Sequence, residues 1–274
     1  MFGYIGGKYY QANWISSFFP INYKVYAEPF GGAWWVGLKT DLKCEDYYYN
    51  DCNRFMVNVF ECCRNSKEFL KFLDSYEDKN QEYFNNFRDY IFSIEDVSKI
   101  TVPDFDLAAK YVYIMTHCFS GIIKSGSNMM IHPCYKSFIK KLRDKKIANK
   151  LSKLKVFNLP YDELIYKVDS QDTLLYIDPP YWKTEDLYVF HDFCKKEDHE
   201  KLASILNECD SSWILSYYEY DQVYDWYPKD IYRYEFKRYV KRHYRCQKNE
   251  KRQLVGREML IINVDQKTNI DYFF

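Results

Sequence analysis

The chain has 274 residues, of which 47% are hydrophobic and 28% are charged, and its 39 basic side chains balance its 39 acidic ones. This length and hydrophobic content exclude a disordered chain and suit one large α/β domain, or such a domain with an inserted subdomain. A net charge of zero argues against a protein that holds nucleic acid by bulk charge alone. The longest apolar runs are too short to cross a bilayer, and MFGYIGGKYY lacks the features of a signal peptide.

Cysteine and histidine usage argues against a structural metal. Nine cysteines are scattered without a CxxC pair, and five histidines are equally dispersed. We therefore expect reduced thiols in a cytoplasmic protein that has neither a zinc site nor a membrane segment.

Strand-like and helical segments alternate along most of the chain. The predicted strands are 25–30, 47–51, 155–159, 173–178, 213–218, 232–236 and 258–264, and the helices between them are 8–19, 34–42, 53–64, 196–208 and 219–226. The stretch 66–149 breaks the alternation with helices at 66–76, 82–94, 106–118 and 136–149 and a loop or hairpin at 120–133. This pattern predicts a mostly parallel sheet with helices on both faces and an inserted helical subdomain.

Three of the predicted strands end in chemically unusual residues. Glu28 ends the first strand, just before the glycine pair of AEPFGG, while Asp51 ends the second and Asp178 ends the fourth, where D-P-P-Y begins. Because ligands of open α/β sheets bind outside the carboxyl ends of the strands, we expect these three sites to converge. For each site alone, an ordinary turn or an acidic helix cap is the structural alternative.

Five stretches, which together span almost the whole chain, carry a family resemblance. They are YIGGK (4–8), AEPFGGAWWVG (27–37), YNDCNRFMVNVF (49–60), YIDPPY (176–181) with KKEDHEKLASIL (195–206), and WILSYY (213–218) with EMLIIN (258–263). In this order they resemble the Dam-type (D12 class, alpha-group) adenine-N6-specific DNA methyltransferases.

The resemblance implies a fold, a reaction and partners. The fold would be a Rossmann-like S-adenosylmethionine-dependent methyltransferase sheet (residues 1–60 and 150–274) with an inserted, mainly helical DNA-recognition subdomain (residues 61–149). The reaction would be site-specific transfer of a methyl group from S-adenosylmethionine to the N6 amine of a flipped adenine in double-stranded DNA, without a metal. A restriction endonuclease is a further possible partner.

The resemblance also assigns cofactor-binding residues, which are Tyr4, Lys8, Phe30, Gly32, Asp51 and Asp178. Asp51 would hold the ribose hydroxyls, and Lys8 would lie beside the acidic cofactor pocket. Two positions depart from the family pattern. Trp34 stands where many members have a further glycine, and Pro160 falls near the position of an expected aspartate, with Asp162 two residues later, so the contact to the cofactor's adenine ring has no clear residue.

The chemistry of adenine explains the D-P-P-Y residues. The exocyclic amine is a poor nucleophile, and the Asp178 carboxylate and the Pro179 carbonyl can accept its two N–H bonds and stabilise the positive charge that grows during attack. Pro179 and Pro180 fix the backbone so that these acceptors are held in place before the reaction. Tyr181 would supply a ring on which the extruded base stacks.

Two basic segments stand out on the neutral chain. Residues 237–252 hold eight Lys or Arg against a single Glu, and residues 136–155 are also basic. We expect the first segment to contact phosphates through Lys241, Arg242 and Arg245, and the loop at 120–132 to read bases through Lys124 and Asn128. A solvated helix face is the alternative for 136–155, and an exposed turn is the alternative for the loop.

Other functions stay open at this point. Related tetrapeptides occur in S-adenosylmethionine-dependent enzymes that modify cytosine N4, RNA or protein glutamine, although an acidic first position favours adenine. A catalytically inactive DNA-binding homologue is the alternative that is not an enzyme. The intact Lys8, Asp51, Asp178 and Tyr181 argue against it.

Overall fold

A mostly parallel sheet forms the centre of the protein. The computed structural model describes residues 6–76, 80–118, 129, 134–182, 193, 195–241 and 254–264. Within them the strands are β1 (Val25–Glu28), β2 (Asp46–Asn50), β3 (Leu154–Phe157), β4 (Thr173–Ile177), β5 (Ser212–Tyr217), β6 (Arg233–Lys241) and β7 (Leu254–Ile262). They lie in the order β3-β2-β1-β4-β5-β7-β6.

Strands β1 to β5 are parallel, and β7 runs antiparallel between β5 and β6. All five residues of the central strand β4 are buried, which accounts for the uninterrupted apolar run TLLYI, since strands of a parallel sheet are covered on both faces. The topology confirms the predicted Rossmann-like α/β sheet.

Helices connect the strands and cover the sheet. Their bounds are α1 (Ala12–Ser16), α2 (Trp35–Lys39), α3 (Arg54–Arg64), α4 (Ser66–Ser75), α5 (Gln81–Phe92), α6 (Phe105–His117), α7 (Tyr135–Leu142), α8 (Lys145–Ser152), α9 (Tyr161–Val168), α10 (Lys196–Glu208) and α11 (Asp221–Trp226). A 3-10 turn at Val97–Lys99 precedes α6. No helix in the described parts of the chain combines the length and the apolar character needed to span a bilayer.

The helices between β2 and β3 pack as a layer against one face of the sheet. Their apolar side chains, including Phe69, Ile114 and Phe138, belong to one buried cluster that also contains Tyr49 of β2 and Leu154 of β3. The helices of 61–149 therefore share a hydrophobic core with the sheet. The division of the chain at residues 60 and 150 stays a prediction.

Several element boundaries differ from those predicted. The single helix expected at 136–149 is two helices, because the Asp144 side chain accepts hydrogen bonds from the backbone N–H groups of Lys146 and Ile147 and so starts α8. Helix α9 was not predicted. Strand β6 continues five residues beyond the predicted end at 236, and β7 begins at Leu254 rather than at 258. The first part of the basic segment 237–252 is therefore β-strand.

Candidate active site

A cavity of about 410 Å³ opens at the carboxyl ends of the parallel strands. Its walls include residues that follow β1, β2, β3 and β4, together with Gly6, Gly7 and Lys8 from the start of the described chain. The three sites that the sequence pattern predicted to converge do meet here, because Glu28, Asp51 and Asp178 all line this cavity. A cavity of this size is in the range that binds a cofactor.

The turn after β1 is tied to the end of β2. The Asp51 carboxylate accepts a 2.8 Å hydrogen bond from the backbone N–H of Gly32 through Oδ2 and another of 2.8 Å from that of Asn53 through Oδ1. Gly32 has a φ of 47°, which favours glycine. At Gly31 a Cβ would lie 2.3 Å from Tyr49 Cε2, so the turn can pass the strand only with glycine there. Asp51 therefore organises the cavity wall and also faces the space where a ligand would lie.

Trp34, the departure from the family pattern, is a packing residue. Its backbone has a φ of 51°, and its side chain is fully buried. The indole fills the space beside Gly37, where a Cβ would be 2.2 Å from Trp34 Cε2. Its ring contacts Tyr47 and Phe60 edge-on. Trp34 and Gly37 thus form a complementary pair that anchors helix α2 behind the glycine turn.

An aromatic group lines the side of the cavity near the end of β3. The rings of Phe30 and Tyr161 stack with centroids 5.0 Å apart, and Phe193 packs edge-on against Phe30 at 5.4 Å. Next to them, Lys201 Nζ lies 2.5 Å from Asp162 Oδ2. The family resemblance assigned Phe30 to the cofactor site, whereas Tyr161 and Phe193 were missed. Tyr161 follows Pro160 at the start of α9, and a proline followed by a helical pattern is the signal that could have revealed it.

The D-P-P-Y residues lie at the end of β4, on the opposite side of the cavity. Lys8 Nζ donates to Asp178 Oδ1 at 2.7 Å and to Oδ2 at 3.0 Å. The same ammonium donates to the Gly6 carbonyl at 2.7 Å and lies 3.6 Å from Glu258 Oε1. The Tyr181 hydroxyl lies 3.0 Å from Asp178 Oδ1 and forms a short hydrogen bond to Glu258. These four side chains form one connected group, the Lys8–Glu258 cluster.

Burial dominates the electrostatics of this cluster. Loss of solvent raises the pKa of Asp178, and the Lys8 ammonium and the Tyr181 hydroxyl oppose that rise. Loss of solvent likewise raises the pKa of Glu258. Glu28, whose Oε1 accepts from Tyr26 Oη at 2.7 Å and from Gly37 N at 2.9 Å, has its pKa raised by burial to about 8. Burial thus favours the protonated form of each of these three acids relative to an exposed carboxyl.

The Tyr181 ring is enclosed by protein. It is 5% exposed, and it stacks on Tyr217 with centroids 5.3 Å apart and planes 17° apart. Lys8 Nζ lies 4.9 Å from its centroid. Pro179 and Pro180 are also buried, and Pro180 lines the cavity. A base that stacks on Tyr181 would have to displace one of these neighbours, and the stacking role stays a prediction.

Several predicted site residues lie outside the described residues, namely Tyr4, Lys124, Asn128, Arg242 and Arg245. Lys241 is the last residue of β6. The predicted contacts of these residues with cofactor or DNA stay predictions. In the described parts of the chain, no three His, Cys, Asp or Glu side chains come together as metal ligands would.

Comparison with known families gives one match that covers nearly the whole chain. The model of the D12 class N6 adenine-specific DNA methyltransferase family matches residues 4–247. None of the curated proteins matches the chain significantly.

Proposed function

Because the chain belongs to the D12 class of N6 adenine-specific DNA methyltransferases, we propose that it methylates adenine within a specific double-stranded DNA site after flipping the target base out of the duplex. The observation that carries the proposal is the ion pair between Lys8 and Asp178 beside the cavity. It presents a carboxylate that is held in position before any substrate arrives.

The donor set of the cavity suits S-adenosylmethionine. The stacked rings of Phe30 and Tyr161 offer an apolar surface for an adenine ring, a contact that the family resemblance assigned to no clear residue. Asp51 is an acceptor beside the glycine turn for ribose hydroxyls. Gly32, Lys8 and Asp178 complete the described part of the predicted cofactor set, and Tyr4 remains its proposed further member. When bound, S-adenosylmethionine supplies a methyl group that is already activated by a positively charged sulfur.

The residues of the chain would then prepare the amine. Asp178 Oδ and the Pro179 carbonyl accept the two N6 hydrogens, which directs the nitrogen lone pair away from the adenine ring. Lys8 holds both carboxylate oxygens and favours the ionised form of Asp178, the form that accepts a hydrogen bond. The rigid Pro179-Pro180 pair keeps the carbonyl oriented. Tyr181 is the proposed stacking ring once its present neighbours make room.

DNA would be held by other parts of the chain. We assign base reading to the helical insert 61–149, with Lys124 and Asn128 in its loop, and phosphate contacts to Lys241, Arg242 and Arg245. Helices are suited to the major groove, and basic strand or loop residues are suited to the backbone. A cytoplasmic location and, optionally, a restriction endonuclease partner are consistent with this activity.

Two alternatives are less well supported. An inactive DNA-binding homologue would not need the buried ion pair between Lys8 and Asp178, whose desolvation costs free energy. Methylation of cytosine N4 or of RNA is disfavoured by the acidic first position of D-P-P-Y and by the match to a family of adenine-specific DNA methyltransferases. We therefore retain adenine in DNA as the substrate.

Transfer of a labelled methyl group from S-adenosylmethionine to DNA, with detection of N6-methyladenine, tests the proposal. Asp178→Ala should abolish turnover while leaving cofactor binding measurable, because its main role is in the transition state. Asp178→Asn, which keeps an acceptor oxygen but loses the charge, should reduce turnover by more than about ten-fold. Asp172→Asn, at an exposed aspartate in the turn just before the same strand, is the matched control. Full activity in both Asp178 variants would remove this residue from the mechanism.

A further inference from the structure

The Lys8–Glu258 cluster contains one more acid than the proposed mechanism uses. Glu258 lies on β7 and is only 2% exposed. Its Oε1 accepts the hydrogen bond from Tyr181 and lies 3.6 Å from Lys8 Nζ. It also lies beyond residue 247, where the family match ends. A buried carboxyl that touches two residues of the reaction site requires an explanation.

The hydrogen bonds around Tyr181 define how many protons the cluster can hold. The Tyr181 hydroxyl is within bonding distance of both Asp178 Oδ1 and Glu258 Oε1, but a hydroxyl carries a single proton. It can donate to one carboxyl, and the other contact is a hydrogen bond only when that carboxyl carries a proton itself. The geometry therefore suits a state in which one of the two carboxyls is protonated and the other is ionised.

The charge of the cluster leads to the same state. With both carboxyls ionised and Lys8 protonated, the buried cluster has a net charge of −1, and one added proton makes it neutral. Among the described residues, the other titratable groups that face it are Tyr176 on β4, Tyr217 on β5, Tyr218 directly after β5 and Glu28 on β1. None of these four supplies a positive charge. A buried site favours neutrality, so the free enzyme should hold the extra proton.

We propose that Glu258 holds this proton in the free enzyme, releases it when a positively charged sulfonium is bound, and takes a proton back through Tyr181 and Asp178 during methyl transfer. The proposal rests on the proposed function, since it requires S-adenosylmethionine beside Asp178. Glu258 acts through Tyr181 and does not touch the reacting atoms. It is therefore a positioning residue, which influences the reaction by exchanging a proton with Tyr181.

The reaction balances with this acceptor. The N6 lone pair forms the N–C bond, the S–C bond breaks with its electron pair left on sulfur, and one N6 proton becomes surplus. That proton moves to Asp178 Oδ1, the Asp178 proton moves to the Tyr181 oxygen, and the Tyr181 proton moves to Glu258 Oε1. The positive charge that disappears from sulfur is replaced by the proton on Glu258, and the site keeps the same net charge before and after transfer.

Titration calorimetry in buffers of different ionisation enthalpy counts the protons released on binding, without any turnover. Near neutral pH, the wild-type protein should release about one proton more with S-adenosylmethionine than with S-adenosylhomocysteine, which has no sulfonium charge. Glu258→Gln keeps a side chain that can hydrogen-bond Tyr181 but cannot ionise, and the difference between the two ligands should vanish. Glu235→Gln, on the neighbouring strand β6, is the control that should behave like wild type.

Single-turnover methylation of DNA provides a second readout. Glu258→Gln should slow methyl transfer by about ten-fold or more. It should also weaken S-adenosylmethionine binding by about ten-fold or more, because no ionised carboxylate forms to offset the sulfonium charge, and should leave S-adenosylhomocysteine binding within about three-fold of wild type. If Glu258→Gln fails to fold, Tyr181→Phe provides the test, because it removes the bridging hydroxyl but leaves the charge of the cluster unchanged. It should keep the difference in proton release and slow methyl transfer by about ten-fold or more. Equal proton release for the two ligands in wild type, a difference that persists in Glu258→Gln, or an unchanged transfer rate in Tyr181→Phe would overturn the proposal. Failure to bind S-adenosylmethionine at all would instead overturn the proposed function.

Discussion

Lys8 and Asp178 are 170 positions apart in the chain, and the ammonium of the first lies 2.7 Å from the carboxylate of the second in a site where Lys8 is 4% exposed. Removing the positive charge with Lys8→Met should raise the pKa of Asp178 further, since only the Tyr181 hydrogen bond would then oppose the effect of burial. The acidic limb of the pH–rate profile should therefore move to higher pH, by about 1–3 units. Lys24→Met, at the opposite end of the sheet, should leave the profile unchanged, and an unmoved limb in Lys8→Met would show that Asp178 does not need this partner.

Asp51 should control cofactor binding. Saturating S-adenosylmethionine is expected to raise the melting temperature of the wild-type protein, because any ligand of the native state stabilises it. At a cofactor concentration one hundred times the dissociation constant, the free energy of unfolding should increase by about 2.7 kcal/mol. Asp51→Ala should remove most of this stabilisation. Asp46→Ala, at the other end of the same strand, should retain it. A melting temperature that saturating cofactor does not change in wild type would count against the whole interpretation.

Tyr161 should contribute to cofactor affinity through its ring. Tyr161→Ala removes the stacked partner of Phe30 and should weaken S-adenosylmethionine binding by about 2- to 10-fold. This range corresponds to the loss of one aromatic contact, which contributes about 0.5–1.5 kcal/mol. Tyr161→Phe should bind nearly as tightly as wild type. Tyr166→Ala, on the exposed face of the same helix, is the control. Equal affinity in the alanine variant of Tyr161 and in the control would exclude the aromatic pair as a cofactor contact.

Glu28 should make stability depend on pH. Its folded-state pKa of about 8 lies above the ordinary value of 4.5, so the stability that comes from the neutral side chain is fully present at low pH and is lost as pH rises through about 8. Relative to wild type, Glu28→Gln should therefore become more stable as pH increases from about 4.5 to about 8, with a constant difference above that. Chemical denaturation of the cofactor-free proteins at several pH values measures this difference. A difference that does not vary with pH would mean that folding leaves the pKa of Glu28 unchanged.

The two proposed DNA contacts should separate in a salt series. Neutralising Lys241, Arg242 and Arg245 should weaken binding to cognate and to random DNA about equally. It should also reduce the magnitude of the slope of log affinity against log salt concentration by about two to three units. Lys124→Ala and Asn128→Ala should instead lower the ratio of cognate to random affinity, since a base contact contributes about 1–3 kcal/mol of discrimination. If the basic variants lose sequence preference while the loop variants bind like wild type, the two assignments are reversed.

The sheet and its strand-end residues could be predicted from the sequence because each has a local signal. A fully apolar run that ends in D-P-P-Y reads as a buried parallel strand with an abrupt turn, and the structure has it at β4. The glycine turn and Asp51 likewise carry their own motifs. These features are encoded over a few consecutive residues, so pattern and spacing were sufficient to find them.

Glu258, Tyr161 and Phe193 could not be predicted in this way. Glu258 reaches the site because β7 runs antiparallel between β5 and β6, a pairing that only the tertiary fold determines. In the sequence it is merely the first residue of EMLIIN. The break between α7 and α8 was missed for a different reason, since a lysine-rich helical pattern continues across Asp144 and hides its capping role.

The position of β7 makes a late part of the chain essential to the sheet. Because β7 lies between β5 and β6, β6 has no partner strand and β5 lacks one of its two neighbours until residues 254–262 have been made. A domain generally folds as a unit, so a nascent chain that ends before residue 254 should not complete this sheet. Removal of β7 should therefore cost the protein its fold as well as the carboxyl of Glu258.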